Sequence, residues 1–205
     1  MNELMEFIIP KEMNCNLVDS REYTYWKLRK QKVFAIDWEL GDDYEAIELA
    51  KIIMQMNFEE KDIPEDQLQK ITLLIFSYGG SIDQAQALCD IIEASRIPIV
   101  TVCMGVAMSA GFLIFLAGKR RYAFKQGSFM IHQGEAVLSG SADTIQQAQD
   151  NYRKTLDQMR EYILEHTTID PKLFKKNKLK DWYLSSQEAS ELGVCKVISS
   201  FDEIV

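Results

Sequence analysis

Ile97-Pro-Ile-Val-Thr-Val-Cys-Met-Gly-Val-Ala-Met-Ser-Ala-Gly-Phe-Leu-Ile-Phe-Leu-Ala-Gly118 runs without a charged residue between Arg96 and Lys119. On length alone it would cross a bilayer as a helix. Its composition argues otherwise. β-Branched residues crowd the first part, small residues interrupt the middle, and Phe112 to Ala117 is mostly unbranched at Cβ. That change predicts a buried strand, a tight turn and a buried helix, so no membrane span is expected. Ser109 sits in the turn among Gly105, Ala107, Ala110 and Gly111, with glycines where backbone must come close.

Outward from this stretch, strand and helix signals alternate. Lys32 to Ile36 reads as a strand, and Asp43 to Met54 as a helix with Ile47, Ala50, Ile53 and Met54 on one face. Residues 58–70, charged and broken by Pro64, read as a loop. Ile71 to Phe76 is a buried strand, Ser77-Tyr-Gly-Gly80 a turn, and Ile82 to Ala94 a helix. Ser141 to His166 is a long amphipathic helix whose apolar stripe includes Tyr152 and Met159, and its length suggests an interface between subunits. Ser185-Ser-Gln-Glu188 has the capping-box pattern, followed by a short helix stopped at Gly193 and a last strand near Val194 to Ile198. The sum is one α/β domain with a largely parallel sheet.

Charge and cysteine usage exclude several classes of function. A net charge of −8 and a pI near 4.9 disfavour nucleic acid as a partner. Cys15, Cys89, Cys103 and Cys195 are scattered without metal-ligand spacing, so reduced thiols in a cytoplasmic protein and no metal are expected. The start, Met1-Asn-Glu-Leu-Met-Glu6, lacks a basic stretch followed by an apolar core, so no signal peptide is expected. Gly118-Lys119 is followed by Arg120 rather than Ser or Thr, which rules out a phosphate-binding loop. The hydrolase elbow G-x-S-x-G fails at Ala107.

A nucleophilic constellation survives. A serine attacks at neutral pH only when a base takes its proton and a third group orients that base. The chain has two histidines, His132 and His166, and His132 in Met130-Ile-His-Gln133 follows Ser109 most closely. Spacing leaves the carboxylate open among Asp143, Asp150, Asp157, Asp170 and Asp181. Gly79 or Gly80 could supply a backbone N–H to an oxyanion.

Four blocks, Ser77-Tyr-Gly-Gly-Ser81, Gly105 to Gly111, Met130 to Gln133 and Asp181 to Gly193, resemble in order and spacing those of the Clp-type serine peptidases, the ClpP family. The resemblance covers about Arg21 to Ile198, whereas residues 1–20 match poorly. It implies a crotonase-like fold of repeated β-β-α units, one peptidase domain over 21–205, and a protruding handle helix at about 141–166. It also implies Ser109 as nucleophile, His132 as base, Asp181 as orienting acid, and the N–H groups of Gly80 and Ala110 as the oxyanion hole. No organic cofactor or metal is implied.

Further implications concern assembly and substrate. Homo-oligomeric stacked rings that cut extended polypeptide are expected, with Gly134 to Leu138 lying along the peptide. The family's ATP-dependent unfoldases dock on aromatic residues, and the matching positions here, Thr72, Leu74 and Ala94, are not aromatic. Loss of that partnership is therefore expected. Tyr78 stands where the family usually has proline. Two other readings fit the same fold: a catalytically degenerate scaffold subunit, and a crotonase-type acyl-CoA enzyme.

Overall fold

The computed structural model describes residues 20–41 and 43–204. The poorly matching segment 1–20 falls outside them except for Ser20, as does Cys15. The described elements are α1 (Ser20–Lys30), β1 (Val33–Ile36), α2 (Glu45–Glu59), β2 (Ile71–Ser77), α3 (Ile82–Ala94), β3 (Ile99–Met108) and α4 (Ala110–Leu116). They continue with β4 (Arg120–Phe124), β5 (Ser128–Ile131), α5 (Ala142–Glu165), α6 (Pro171–Asn177), β6 (Trp182–Ser185), α7 (Ser186–Glu191) and β7 (Lys196–Ile198). No helix among the described residues is long and apolar enough to cross a membrane.

The main ladder runs β1-β2-β3-β4-β7 and is parallel throughout. Alternation along its strands divides the core, because successive side chains point to opposite faces. Ile71, Leu73, Ile75, Ile99 and Cys103 face the large core under α2 to α5, while Leu74, Val100 and Val102 face a small cluster with Tyr122, Phe124, Ile198 and Ile204. Thr72 and Leu74 are indeed not aromatic, but their face of the sheet is not bare of rings. Tyr122 and Phe124 pack there, with Phe201 against Phe124 at 5.4 Å between ring centres. These rings come from β4 and the C-terminus.

β3 belongs to two ladders. Val100 to Cys103 pair with β4, whereas Val106 to Met108 pair with β5, which in turn pairs antiparallel with β6. The step comes where Ile75 faces Cys103 but Ser77 faces Ala107, so β3 carries extra residues opposite Phe76. Gly105 lies at that step, where a Cβ would stand 2.8 Å from the Phe76 ring. The strand therefore extends beyond the predicted β-branched run and delivers Ser109 past the end of the main ladder.

The segment expected to be a loop over 58–70 begins instead inside α2, and Glu65–Gln67 form a short 3-10 turn. Side-chain anchoring outweighs the charged composition here: Asn57 accepts from the amides of Arg96 and Ile97 at 2.9 and 3.4 Å, tying the end of α2 to the start of β3.

The helix expected over 141–166 is α5, with Ser141 capping it through the Thr144 amide and His166 closing it. The C-terminal part of its apolar stripe serves the chain's own core. Met159 and Ile163 are buried in the chain's own core with Leu156 and Tyr162 beside them, because the C-terminal half packs on this domain. Most of the first half is exposed, including Ile145.

Candidate active site

Ser109 is the N-cap of α4, with φ +53° and ψ −124°. A non-glycine residue at such a backbone angle stores strain, on the order of 1–3 kcal/mol, which surrounding contacts must hold. Its amide donates to the Met130 carbonyl at 2.9 Å, and its carbonyl accepts from Phe112 N at 3.0 Å. Gly79 closes in from β2, where a Cβ would stand 2.7 Å from Ser109 Cβ and 3.0 Å from Ala110 N. The small residues read from the sequence are thus needed for packing as well as for the turn. Beneath them, Phe129 of β5 contacts Phe112 and Phe115 of α4 at ring distances of 6.0 and 5.0 Å, fixing the two elements to each other.

His132 follows β5 directly, and its Nε2 lies 2.7 Å from Ser109 Oγ. Pairing of Ile131 with Trp182 sets the next residues outward, His132 and Asp181, opposite each other. Asp181 Oδ1 stands 3.4 Å from His132 Nδ1, and its side chain is 55% exposed against 24% for the histidine. The pair is therefore in electrostatic contact in partly wet surroundings, where solvent weakens it.

The other carboxylates are engaged elsewhere. Asp170 caps α6, accepting from Lys172 N at 2.7 Å. Asp157 lines a cavity of about 40 Å³ beside His132 but is held by Arg160 at 2.8 Å. Asp150 takes Arg153 and Gln146 within α5, and Asp143 lies exposed in its first turn. His166 is committed to Glu93 at 3.1 Å and stacks on Tyr162.

Two backbone donors near the serine have no partner among the described residues. Gly79 N donates to Ser77 Oγ at 3.2 Å, and Gly79 O accepts from Leu40 N at 2.7 Å. Gly80 N has no hydrogen-bond partner among the described residues, nor has Ala110 N, which as the first helical amide cannot find one within α4. Gly80, at φ +130°, is where only glycine fits, because a Cβ would overlap the Leu40 carbonyl. Between the two glycines the sequence left open, the geometry frees the second. Among the described residues no group of three or more His, Cys, Asp or Glu converges as a metal site.

Sequence reading missed what brings Asp181 to His132, the β5–β6 pairing. It also missed Tyr152 of α5, whose hydroxyl donates to the Gln133 carbonyl at 3.0 Å. Neither contact leaves a local pattern in the chain.

A parallel-sheet α/β fold that lines up a serine, a histidine and an aspartate at a strand end has the layout of a serine hydrolase. The model of the Clp protease family matches residues 24–201. The chain belongs to that family, whose activity is that of a serine peptidase.

Proposed function

We propose that this protein is the proteolytic subunit of a self-compartmentalising serine endopeptidase acting on extended or unfolded polypeptide. The observation that carries the reading is the 2.7 Å contact between Ser109 Oγ and His132 Nε2, within hydrogen-bond reach as nucleophile and base require. In this mechanism His132 Nε2 takes the hydroxyl proton as Ser109 Oγ bonds to the peptide carbonyl carbon. Asp181 keeps the other proton on Nδ1. The amides of Gly80 and Ala110 donate to the carbonyl oxygen as it becomes an anion. On collapse the C–N bond breaks, and His132 hands its proton to the departing amine. Water, deprotonated by the same histidine, then releases the acyl group and restores Ser109.

The peptide lies along Gly134 to Leu138, a stretch without backbone hydrogen bonds of its own among the described residues. The proposed architecture is crotonase-like, with repeated β-β-α units, and subunits form stacked rings that meet through the exposed half of α5. The proposed setting is cytoplasmic, and, with no aromatic residue at Thr72, Leu74 or Ala94, the subunit works without the family's usual unfoldase docking.

A fluorophosphonate probe tests the reading, with the expected result that it labels Ser109 and that labelling vanishes in Ser109→Ala. The loose His132–Asp181 contact of 3.4 Å favours a second reading, a degenerate scaffold subunit. Absence of labelling in the assembled wild-type protein would establish the scaffold instead.

A further inference from the structure

Residues 133–140 leave β5 and reach α5 without a single backbone–backbone hydrogen bond among the described residues. They are largely exposed from Glu135 onward, Val137 to 98%. Among the described residues, one hydrogen bond holds the segment, from the Tyr152 hydroxyl to the Gln133 carbonyl at 3.0 Å. Gly134, at φ +73°, turns the chain against that hydroxyl: a Cβ there would stand 3.3 Å from Tyr152 Oη. Burial and the charge of Glu135 raise the phenol above its ordinary range, so it remains a protonated donor at neutral pH.

We infer that Tyr152 is a positioning residue that sets substrate capture by fixing the segment along which the peptide lies, an inference resting on the peptidase reading above. His132 does not depend on it. The histidine is held from the other side, through the pairing of β5 with β6 and the Ser109 amide on Met130. Losing the hydroxyl therefore frees the peptide-binding stretch and leaves the serine and histidine in register. Held in place, the stretch meets a peptide without first being ordered, and that ordering cost would otherwise weaken capture.

The test is Tyr152→Phe, which keeps the ring and removes the donor. KM for a peptide long enough to lie along 134–138 is expected to rise about 3- to 10-fold, the span of one neutral hydrogen bond. The turnover number should stay within roughly twofold, and the rate of Ser109 labelling by a small fluorophosphonate should not change, since neither depends on the segment. In a Ser109→Ala background, a Glu-specific protease should nick after Glu135 faster when Tyr152 is Phe. An unchanged KM in an active enzyme, unchanged nicking, or a joint fall of turnover and labelling overturns the inference. A wild-type protein that neither labels nor cleaves refutes the peptidase reading itself, and the capture role with it.

Discussion

The amide of Ser109 donates to the carbonyl of Met130 at 2.9 Å, so the backbone of the serine belongs to the ladder that carries the histidine two residues further on. Side-chain geometry here is inherited from strand pairing. The 2.7 Å approach of Ser109 Oγ to His132 Nε2 needs no flexible loop to find it.

That strained serine gives a paired prediction. Ser109→Ala is expected to lower peptide cleavage by at least about 10³-fold with the fold retained. Ser109→Gly should be equally inactive yet more stable than Ser109→Ala by roughly 1 kcal/mol, because glycine adopts φ +53° without strain. Denaturant unfolding of the two variants checks the difference, and equal midpoints would show that the turn holds no strain.

Asp181 should matter less than the serine, given its 3.4 Å contact and its exposure. Asp181→Asn is expected to reduce kcat by about 10- to 10³-fold. Asp170→Asn should keep activity, since asparagine also caps a helix, whereas Asp170→Ala should cost about 1 kcal/mol of stability. Steady-state kinetics on the set separates these roles. A greater loss at Asp170 would reassign the orienting carboxylate.

For assembly, the two halves of α5 are expected to respond differently. Met159→Lys buries an unpaired charge in the core and should destabilise the chain by about 3 kcal/mol or more. Ile145→Lys alters an exposed position and should lower the particle mass in light scattering while thermal stability of the subunit is little changed. Full-sized particles from Ile145→Lys would place the subunit contact elsewhere.

Alkaline conditions should weaken the fold through its thiols. Burial raises Cys103 to about 11 and both Cys89 and Cys195 to about 12, against an ordinary value of 9.0. Above pH 9 the unfolded chain loses these protons first and the folded chain keeps them, so stability falls as pH rises, by up to about 1.4 kcal/mol per unit for each of the buried Cys89 and Cys103 and by less for the half-buried Cys195, which solvent screens. Urea midpoints between pH 8 and 10.5 test this, and a slope unaltered by Cys103→Ala would remove that thiol from the account. At pH 8 the same three thiols should resist alkylation in the folded protein.

Much of the frame was legible because it is written locally. The continuous apolar run of β2 and the 3.6-residue spacing of α3 are each visible in their own residues, and Ile82–Ala94 agrees at both ends. The capping box at Ser185 and Glu188 was equally plain, both of its hydrogen bonds being made. The site was legible only in part. Ser109 announces itself by its small neighbours, but the nearness of Asp181 follows from antiparallel pairing between two four-residue strands with α5 and α6 between them. The hydroxyl of Tyr152 and the amide of Gly80 are likewise defined by partners made or missing in space, which no periodicity encodes.

The step in β3 separates two kinds of tolerance to changes in chain length. Excising two residues between Cys103 and Ala107 would leave Val100 to Cys103 paired with β4 and preserve the alternation of faces. It would also draw Ser109 back by roughly 7 Å along the strand, out of reach of the Met130 carbonyl and of His132. A small deletion there would undo the approach of Ser109 to His132 while sparing the main ladder, so the serine–histidine contact is far more sensitive to chain length than the fold that carries it.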